Sequence, residues 1–367
     1  IGITEEKMNK NILMILYAKS VGGAELQFLE LANYLSQSHR VRLVCLGGNG
    51  ALKDSKVSER LEVRVYSYNS TISALINLLR AFLGNISFST DSIVTTSFIG
   101  NVLGFSMGLF QKVRLVSLQT VSVCICHPIV DRFVLRKFDE LIAGANDIKD
   151  YLIAHGQPSS KIQVVHNWVD FSKRASNKKT SDLKAQFGVQ GKLVIGCIGR
   201  FHPQKGQVYL IKAFAKIIDI FPNTVLMLVG DGETKEKLEK AVRDFGLSEN
   251  VIFTGTIIGD KYNDFLKAID IYVQPSIFEG LPRTLLDAMY MGKSIVATNI
   301  NGNCEAIKDE VNGLLVPSKD SNSLFLSISR LLNSQDEMKI FSREANITAV
   351  QNFSMEGQLK KISSIIF

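Results

Sequence analysis

The sequence predicts an α/β protein with two doubly wound parallel-sheet domains in series. Short apolar segments of strand length alternate with helical patterns along the chain, and strands buried between helices form parallel sheets. A polar run at residues 172–182 separates two such series. At 367 residues the chain is also too long for one ordinary core, so two domains are expected.

The first series runs from Met8 to Asp170 and contains seven predicted strands: Ile12–Tyr17, Val41–Leu46, Leu61–Tyr66, Ser92–Thr96, Arg114–Leu118, Leu141–Gly144 and Ile162–Val165. The second series, residues 171–350, contains six: Leu193–Ile198, Val225–Val229, Val251–Phe253, Ile271–Gln274, Ser294–Ala297 and Gly313–Val316. Three polar-apolar helices close the chain at Ser321–Asn333, Glu337–Gln351 and Met355–Phe367. Residues 351–367 are assigned to a separate C-terminal helix.

Composition places the chain among globular proteins, with 46% hydrophobic and 21% charged residues. Its five cysteines are scattered and cannot all pair, which indicates a reducing cytoplasm. Cys124 and Cys126, followed by His127, lack a second ligand pair, so we expect no metal site and no cofactor. No apolar run is long enough to span a bilayer.

Residues 71–137 combine positive charge with apolar character. They hold six basic residues and two acidic ones, and they are rich in Leu, Phe, Ile and Val. This combination favours docking on an anionic membrane surface, although a solvated rim around an ordinary core explains it equally well. Nucleic-acid binding is not expected, because no aromatic-interleaved basic run or known reader motif is present. The basic residues are Arg80, Lys112, Arg114, Arg132, Arg136 and Lys137.

The segment Ser276–Ala297 carries two acids on either side of a predicted helix start. Glu279 stands in a turn just before the helix, and Asp287 lies about one and a half turns inside it. Pro282 suits the first helical position, where no amide hydrogen is needed. Free amides at such a terminus attract phosphate, and flanking carboxylates accept hydrogen bonds from a polyol. The pattern therefore favours a nucleotide-sugar site over a plain exposed helix start.

Two strand-to-helix loops are suited to a diphosphate. After the strand Leu193–Ile198 come Arg200 and Lys205, which offer a forked contact and a mobile point charge. Two cations there stabilise the negative charge that grows on a departing nucleoside diphosphate. In the first domain, Gly22 and Gly23 lie between a strand and a helix, where the backbone can approach a ligand closely.

These residues resemble those of the retaining glycosyltransferases of family four, which have GT-B architecture: two Rossmann-like domains that face each other across a cleft. The segment EGLPRTLLDAM resembles the family's E-x7-E motif, with Asp287 in place of the usual second Glu. Arg200 and Lys205 resemble its R-x4-K diphosphate clamp. The resemblance covers nearly all of residues 8–367, and it implies that the last helix packs back toward the first domain.

The resemblance implies roles for individual residues. Glu279, Arg200 and Lys205 form the implied catalytic set, with Glu279 on the sugar hydroxyls. Asp287 is implied to hold the ribose. The implied donor-binding residues are Gly22, Gly23, Gly280, Leu281, Pro282, Arg283, Thr284 and Asp287.

One position departs from the family. Gln119 stands where many relatives carry a histidine near the reacting carbon, and glutamine cannot act as a general base at neutral pH. Gln119 is expected to hydrogen-bond the sugar or the acceptor hydroxyl, and His127 is the nearest substitute histidine. Catalysis survives this change in a front-face mechanism, where the departing phosphate takes the acceptor proton.

The resemblance implies transfer of a hexose or N-acetylhexosamine from a nucleotide-diphosphate sugar, with UDP favoured. The expected acceptor is a bacterial surface glycan, such as lipopolysaccharide or capsule, or a lipid-linked oligosaccharide. We expect a cytoplasmic protein that associates peripherally with the inner face of the membrane. Two alternatives stay open: a non-catalytic nucleotide-sugar-binding subunit, and another GT-B enzyme such as a sugar-nucleotide epimerase.

Overall fold

The computed structural model describes residues 10–18, 23–47, 57–68, 70–119, 128–174 and 178–367. The chain divides into two compact units. Unit 1 runs to Asn167 and also includes Glu356–Phe367, and unit 2 is Trp168–Met355. None of the helices in the described ranges combines the length and apolar character needed to cross a bilayer.

Unit 1 is a seven-stranded parallel sheet in the order β3-β2-β1-β4-β5-β6-β7. Its elements in chain order are β1 (Asn11–Ala18), α1 (Gly23–Leu35), β2 (Arg40–Gly47), β3 (Glu62–Ser67), α2 (Thr71–Asn85), β4 (Ser92–Thr95), α3 (Phe98–Gly108), β5 (Arg114–Gln119), α4 (Pro128–Arg136), β6 (Glu140–Ala143), α5 (Asn146–Ala154) and β7 (Ile162–Val164). β1 and β4 are neighbours although two strands separate them in sequence.

Unit 2 is a six-stranded parallel sheet in the order β10-β9-β8-β11-β12-β13. Its elements are α6 (Thr180–Gln186), β8 (Leu193–Ile198), α7 (Gln207–Ile220), β9 (Thr224–Val229), α8 (Lys235–Asp244), β10 (Val251–Gly255), α9 (Asp260–Ala268), β11 (Ile271–Gln274), α10 (Arg283–Tyr290), β12 (Ser294–Thr298), α11 (Asn301–Cys304), β13 (Leu314–Val316), α12 (Ser321–Asn333) and α13 (Gln335–Asn352). The last helix, α14 (Met355–Ile366), belongs to unit 1 apart from its first residue.

The predicted fold class is confirmed, and every predicted strand forms in the described residues with small shifts at its ends. Central strands are strongly apolar because they are buried on both faces: β9, for example, is buried at all of its 6 positions. A parallel strand that helices cover on both sides has no polar face, which explains why the short apolar runs were reliable signals.

The unit boundary lies before the polar run and not inside it. Trp168 is 1% exposed, and the Val169 amide donates to the carbonyl of Phe353 at 3.0 Å within unit 2. The chain therefore packs into unit 2 three residues before the predicted boundary at Asp170. The last residues of the run belong to a helix, since α6 begins at Thr180.

α14 packs on the sheet of unit 1. The side chains of Ile362 and Ile366 are fully buried. Arg114 Nε donates to the carbonyl of Ile365 at 3.1 Å, and Ser92 Oγ donates to that of Ile366 at 3.2 Å. Both donors come from the first residues of central strands, so α14 contacts the amino ends of β4 and β5.

Each sheet has a point where the order of its strands reverses. In unit 2 the chain builds outward from β8 to β9 and β10, then returns to place β11 on the other side of β8. The loops that follow β8 and β11 therefore leave the same edge of the sheet in opposite directions, and ligands of open α/β sheets bind in the crevice between such loops. In unit 1 the corresponding strands are β1 and β4.

Candidate functional site in unit 2

The loops after β8 and β11 are held in direct contact by a glycine. Gly206 adopts φ +67°, and a Cβ at this position would lie 2.0 Å from the carbonyl oxygen of Pro275. Only glycine allows both that backbone conformation and that approach. The packing fixes Lys205, which precedes Gly206, beside the segment that leads to Glu279.

A second glycine supports the acid-bearing turn from the other side. Gly302 lies in the short helix α11, and a Cβ there would come within 1.4 Å of the Gly280 carbonyl oxygen and 2.6 Å of that of Glu279. The backbone of 279–280 therefore rests directly on α11. Glu305 is the C-cap residue of this helix.

Lys205 and Glu279 form the central contact of the site. Lys205 Nζ lies 2.5 Å from Glu279 Oε1, and the Glu279 side chain is only 8% exposed. The same oxygen accepts hydrogen bonds from Ser276 Oγ at 2.7 Å and Gln274 Nε2 at 3.1 Å. Within the described residues, every polar contact of Glu279 falls on Oε1, which leaves Oε2 available to a ligand.

A buried polar row lies beneath this carboxylate. The Tyr272 hydroxyl donates to Gln274 Oε1 at 2.6 Å, which turns the Gln274 amide nitrogen toward Glu279. Burial raises the pKa of Tyr272 well above its ordinary value, so the hydroxyl stays protonated and remains a donor. Thr298 Oγ1 donates to the Ser276 carbonyl at 2.6 Å and fixes the backbone of that turn. The Glu279 side chain is thus held in place before any ligand arrives.

Arg200 stands at the carboxyl end of β8, on the same loop as Lys205. Its backbone carbonyl accepts a hydrogen bond from Gln207 Nε2 at 3.1 Å, which ties the loop to the first turn of α7. Its side chain is exposed. Since the guanidinium makes no hydrogen bond or ion pair within the described residues, it can bind an anion without first losing a protein partner.

The second acid lies inside α10, as predicted. Asp287 is 3% exposed, and Tyr262 from α9 donates its hydroxyl to Asp287 Oδ2 at 2.7 Å. The helix begins at Arg283, and Pro282 precedes it with extended backbone at φ −72° and ψ 122°. Pro282 is therefore the N-cap residue and not the first helical residue, because its ψ is not helical. Leu281 and Pro282 are buried, and Gly280, Arg283 and Thr284 are half-buried.

Four of the predicted site residues belong to unit 1. Gly23 begins α1 and is exposed, whereas Gly22 and His127 lie outside the described residues. Gln119, at the end of β5, is 9% exposed, and its amide donates to Ser117 Oγ at 2.8 Å. Ser117 in turn donates to Asn101 Oδ1 at 2.7 Å. The Gln119 amide is thus held by a buried polar chain.

The known proteins that this chain resembles are glycosyltransferases. Residues 179–347 match the family model described as glycosyl transferases group 1. An uncharacterized glycosyltransferase of Methanocaldococcus jannaschii is 24% identical over 95% of each chain. The UDP-Gal:alpha-D-GlcNAc-diphosphoundecaprenol alpha-1,3-galactosyltransferase of Escherichia coli is 29% identical, over 66% of this chain and 64% of that protein. This chain therefore spans slightly less than two thirds of the galactosyltransferase.

Solved structures agree on the fold. The crystal structure of Anabaena Alr3699/HepE in complex with UDP superposes with a TM-score of 0.86 at 22% identity, covering 97% of this chain and 98% of that chain. Sucrose-phosphate synthase from Thermosynechococcus elongatus gives 0.83 at 18% identity and similar coverage. The fold is GT-B. Together the matches support a group 1 glycosyltransferase.

The sequence alone did not predict the residues that hold the two acids. Gln274 and Ser276 had a weak signal, since they are polar residues that end an apolar strand. Tyr262 and Tyr272 had none. Tyr262 is 25 positions from its partner Asp287, and Tyr272 reads as one more apolar position of β11.

Gly302→Ala tests the packing beneath the acid-bearing turn. Alanine normally stabilises a helix relative to glycine, but here its Cβ must displace the Gly280 backbone. We expect the free energy of unfolding to fall by about 1–3 kcal/mol, the usual cost of overpacking. Gly199→Ala is the control, because its Cβ would lie at an ordinary 3.5 Å from its nearest neighbour. Equal denaturant midpoints for the two variants would contradict the packing.

Proposed function

We propose that the chain is a retaining glycosyltransferase that moves a hexose or N-acetylhexosamine from a UDP-sugar to a growing surface glycan or lipid-linked oligosaccharide. The contact between Lys205 and Glu279, at the strand reversal of unit 2, carries the proposal. The choice of UDP is supported by the UDP complex of Alr3699/HepE. The choice of acceptor is supported by the relative that acts on a diphosphoundecaprenol-linked sugar.

Lys205 is suited to act on the donor diphosphate while it holds Glu279. An ammonium group has three N–H donors, and within the described residues only Glu279 Oε1 engages it. Two donors are left for phosphate oxygens, and the exposed Arg200 guanidinium adds a forked contact. Both cations act more strongly as the diphosphate leaves and its negative charge grows, which lowers the barrier. Since these cations supply the positive charge, we propose that no metal or other cofactor is needed.

Glu279 and Asp287 are proposed to hold the two sugars of the donor. Glu279 Oε2 accepts hydrogen bonds from hydroxyls of the transferred sugar, while Oε1 stays bound to Lys205, Gln274 and Ser276. Asp287, whose side chain is oriented by the hydroxyl of Tyr262, is proposed to accept hydrogen bonds from the ribose hydroxyls. The backbone amides of the first turn of α10, which begins at Arg283, and the positive end of its helix dipole favour binding of an anion there.

The proposed reaction proceeds on one face of the sugar. The bond from the anomeric carbon to the phosphate oxygen breaks, the acceptor oxygen bonds to that carbon on the same face, and the departing phosphate takes the acceptor proton. Gln119 is not a base in this scheme. Its amide, oriented by Ser117, is proposed to hydrogen-bond the sugar or the acceptor.

Two other functions use the same donor site. A non-catalytic nucleotide-sugar-binding subunit would bind the donor without turnover, and a sugar-nucleotide epimerase would change the sugar without an acceptor. A panel of nucleotide sugars, scored by thermal shift and by slow hydrolysis, separates them. Release of free sugar with retained anomeric configuration supports the transferase, whereas binding without release supports the subunit.

Arg200→Ala and Lys205→Ala test the diphosphate assignment. Each variant loses a charge-assisted contact that strengthens in the transition state, so we expect turnover to fall at least about a hundredfold. Arg243→Ala and Lys212→Ala remove exposed cations of the same types from α8 and α7 and are the matched controls. Near-normal turnover of both site variants, with circular dichroism showing folded protein, would refute the clamp. A chelator in the assay should leave the wild-type rate unchanged.

Glu279→Gln and Asp287→Ala separate the sugar and ribose roles. Glu279→Gln should reduce transfer far more than calorimetric binding of UDP, because UDP carries no transferred sugar. Asp287→Ala should weaken both, and Asp287→Glu, which restores the family residue, should be tolerated. Tyr262→Phe, like Asp287→Ala, should weaken UDP binding. We expect a loss of about fivefold, which corresponds to the contribution of one hydrogen bond. Equal loss of UDP affinity in Glu279→Gln and Asp287→Ala would contradict the division.

A further inference from the structure

Helix α2 turns an apolar stripe toward solvent. Ile72, Leu75, Ile76, Leu79 and Leu83 recur at helical spacing and are 47 to 74% exposed. The opposite face of α2 is buried through Ala81 and Asn85, so the helix already has its inner packing partners. A soluble helix exposes polar residues on its outer side. The outer face of α2 is instead apolar, and contact with another apolar surface would remove it from water.

The stripe continues across two neighbouring helices. α3 packs between α2 and α4. The Phe82 ring on α2 meets that of Phe110 at 5.7 Å, and Phe105 on α3 meets Phe133 on α4 at 6.1 Å. Exposed apolar residues mark the same surface beyond α2: Leu109 at 67%, Phe110 at 68%, Ile129 at 85% and Phe133 at 57%. We call the outer side of these three helices, with Leu109 to Lys112, the α2–α4 face.

The charges of the α2–α4 face have a single sign. Neither α2 nor α3 contains an acid, and the acid of α4, Asp131, is 2% exposed. Cations border the apolar residues, and Lys137 Nζ lies 5.4 Å from the centre of the Phe133 ring. A pocket of about 330 Å³ opens beside α4, lined by Ile129, Arg132, Ala154 and His155. The exposed cations of the face are Arg80, Lys112, Arg132, Arg136 and Lys137.

We propose that the α2–α4 face docks on an anionic lipid bilayer, with α2 lying in the plane of the interface and its stripe inserted among the acyl chains. Apolar residues flanked by Lys and Arg, without exposed carboxylates, match an interface of acyl chains and phosphate headgroups. A two-fold contact with a second copy fits poorly, since it places like charges together. The pocket beside Arg132 is of a size to take one lipid phosphate.

Docking deepens the proposed function and rests on it, because docking brings the enzyme to a membrane-bound acceptor. Lipid binding itself is measured without any donor. The two proposals therefore fail separately, one by loss of vesicle binding and the other by absence of donor hydrolysis.

The experiment is vesicle co-sedimentation of the full chain. The probes are phosphatidylcholine vesicles with and without phosphatidylglycerol, each at low and high salt. Wild-type protein should bind the anionic vesicles, and salt should weaken binding because it screens charge over about 8 Å near physiological strength. Binding that ignored lipid charge, or no binding at all, would overturn the proposal.

Two triple variants locate the contact. Leu75→Asn, Leu79→Asn and Leu83→Asn together remove the middle of the stripe, at 65, 58 and 59% exposure. Ile220→Asn, Leu326→Asn and Ile340→Asn together are the matched control in unit 2, at 58, 63 and 58% exposure. The first set should weaken vesicle binding by at least about tenfold, because each lost side chain removes apolar burial, and the second should not.

Two further measurements complete the test. Donor hydrolysis in solution should be the same in both triple variants, which shows that the stripe acts in docking and not in donor chemistry. Arg80→Gln with Lys112→Gln should reduce binding to anionic vesicles and flatten its salt dependence. Wild-type vesicle binding by the stripe variant, or a wild-type dimer in analytical ultracentrifugation that the stripe variant breaks, would overturn the proposal.

Discussion

The site in unit 2 depends on one ion pair between two loops. Lys205 and Glu279 meet at 2.5 Å, with the Lys205 side chain 24% exposed and that of Glu279 8% exposed. A carboxylate this buried would be costly without a partner, so removing Lys205 leaves an uncompensated charge as well as a missing cation. Gly206 and Gly302 keep both loops close enough for the contact, and Gln274 and Ser276 complete its hydrogen bonds. One cluster of contacts therefore sets the position of the acid.

The two carboxylate oxygens of Glu279 have different surroundings. Oε1 is saturated by the protein, whereas Oε2 is left for a ligand. The same lysine that fixes Oε1 has two further N–H donors, which we propose bind phosphate. The acid that we propose binds the sugar and the cation that we propose binds the diphosphate therefore form one rigid group. Preorganised groups of this kind stabilise a transition state without reorganising during the reaction.

The sequence predicted the fold and the placement of Glu279 and Asp287 around a helix start better than it predicted the side chains that hold these two acids. Apolar strands such as β9 were predictable because burial on both faces leaves few polar residues. Arg200 and Lys205 were predicted because they follow an apolar strand, and Glu279 and Asp287 because they lie on either side of a predicted helix start. Tyr262 and Tyr272 were not predictable, since their roles arise from packing between elements distant in sequence. Unit 2 begins at the buried Trp168, three residues before the predicted second domain, because this side chain packs into unit 2.

A crystal structure with an intact UDP-sugar tests the central claim most directly. We predict that Lys205 Nζ keeps its contact with Glu279 Oε1 and also reaches a phosphate oxygen within hydrogen-bond distance. Arg200 should contact the same diphosphate, Glu279 Oε2 a hydroxyl of the transferred sugar, and Asp287 the ribose. A diphosphate bound away from the 200–205 loop, or a sugar that leaves Glu279 Oε2 without a ligand contact, would contradict it.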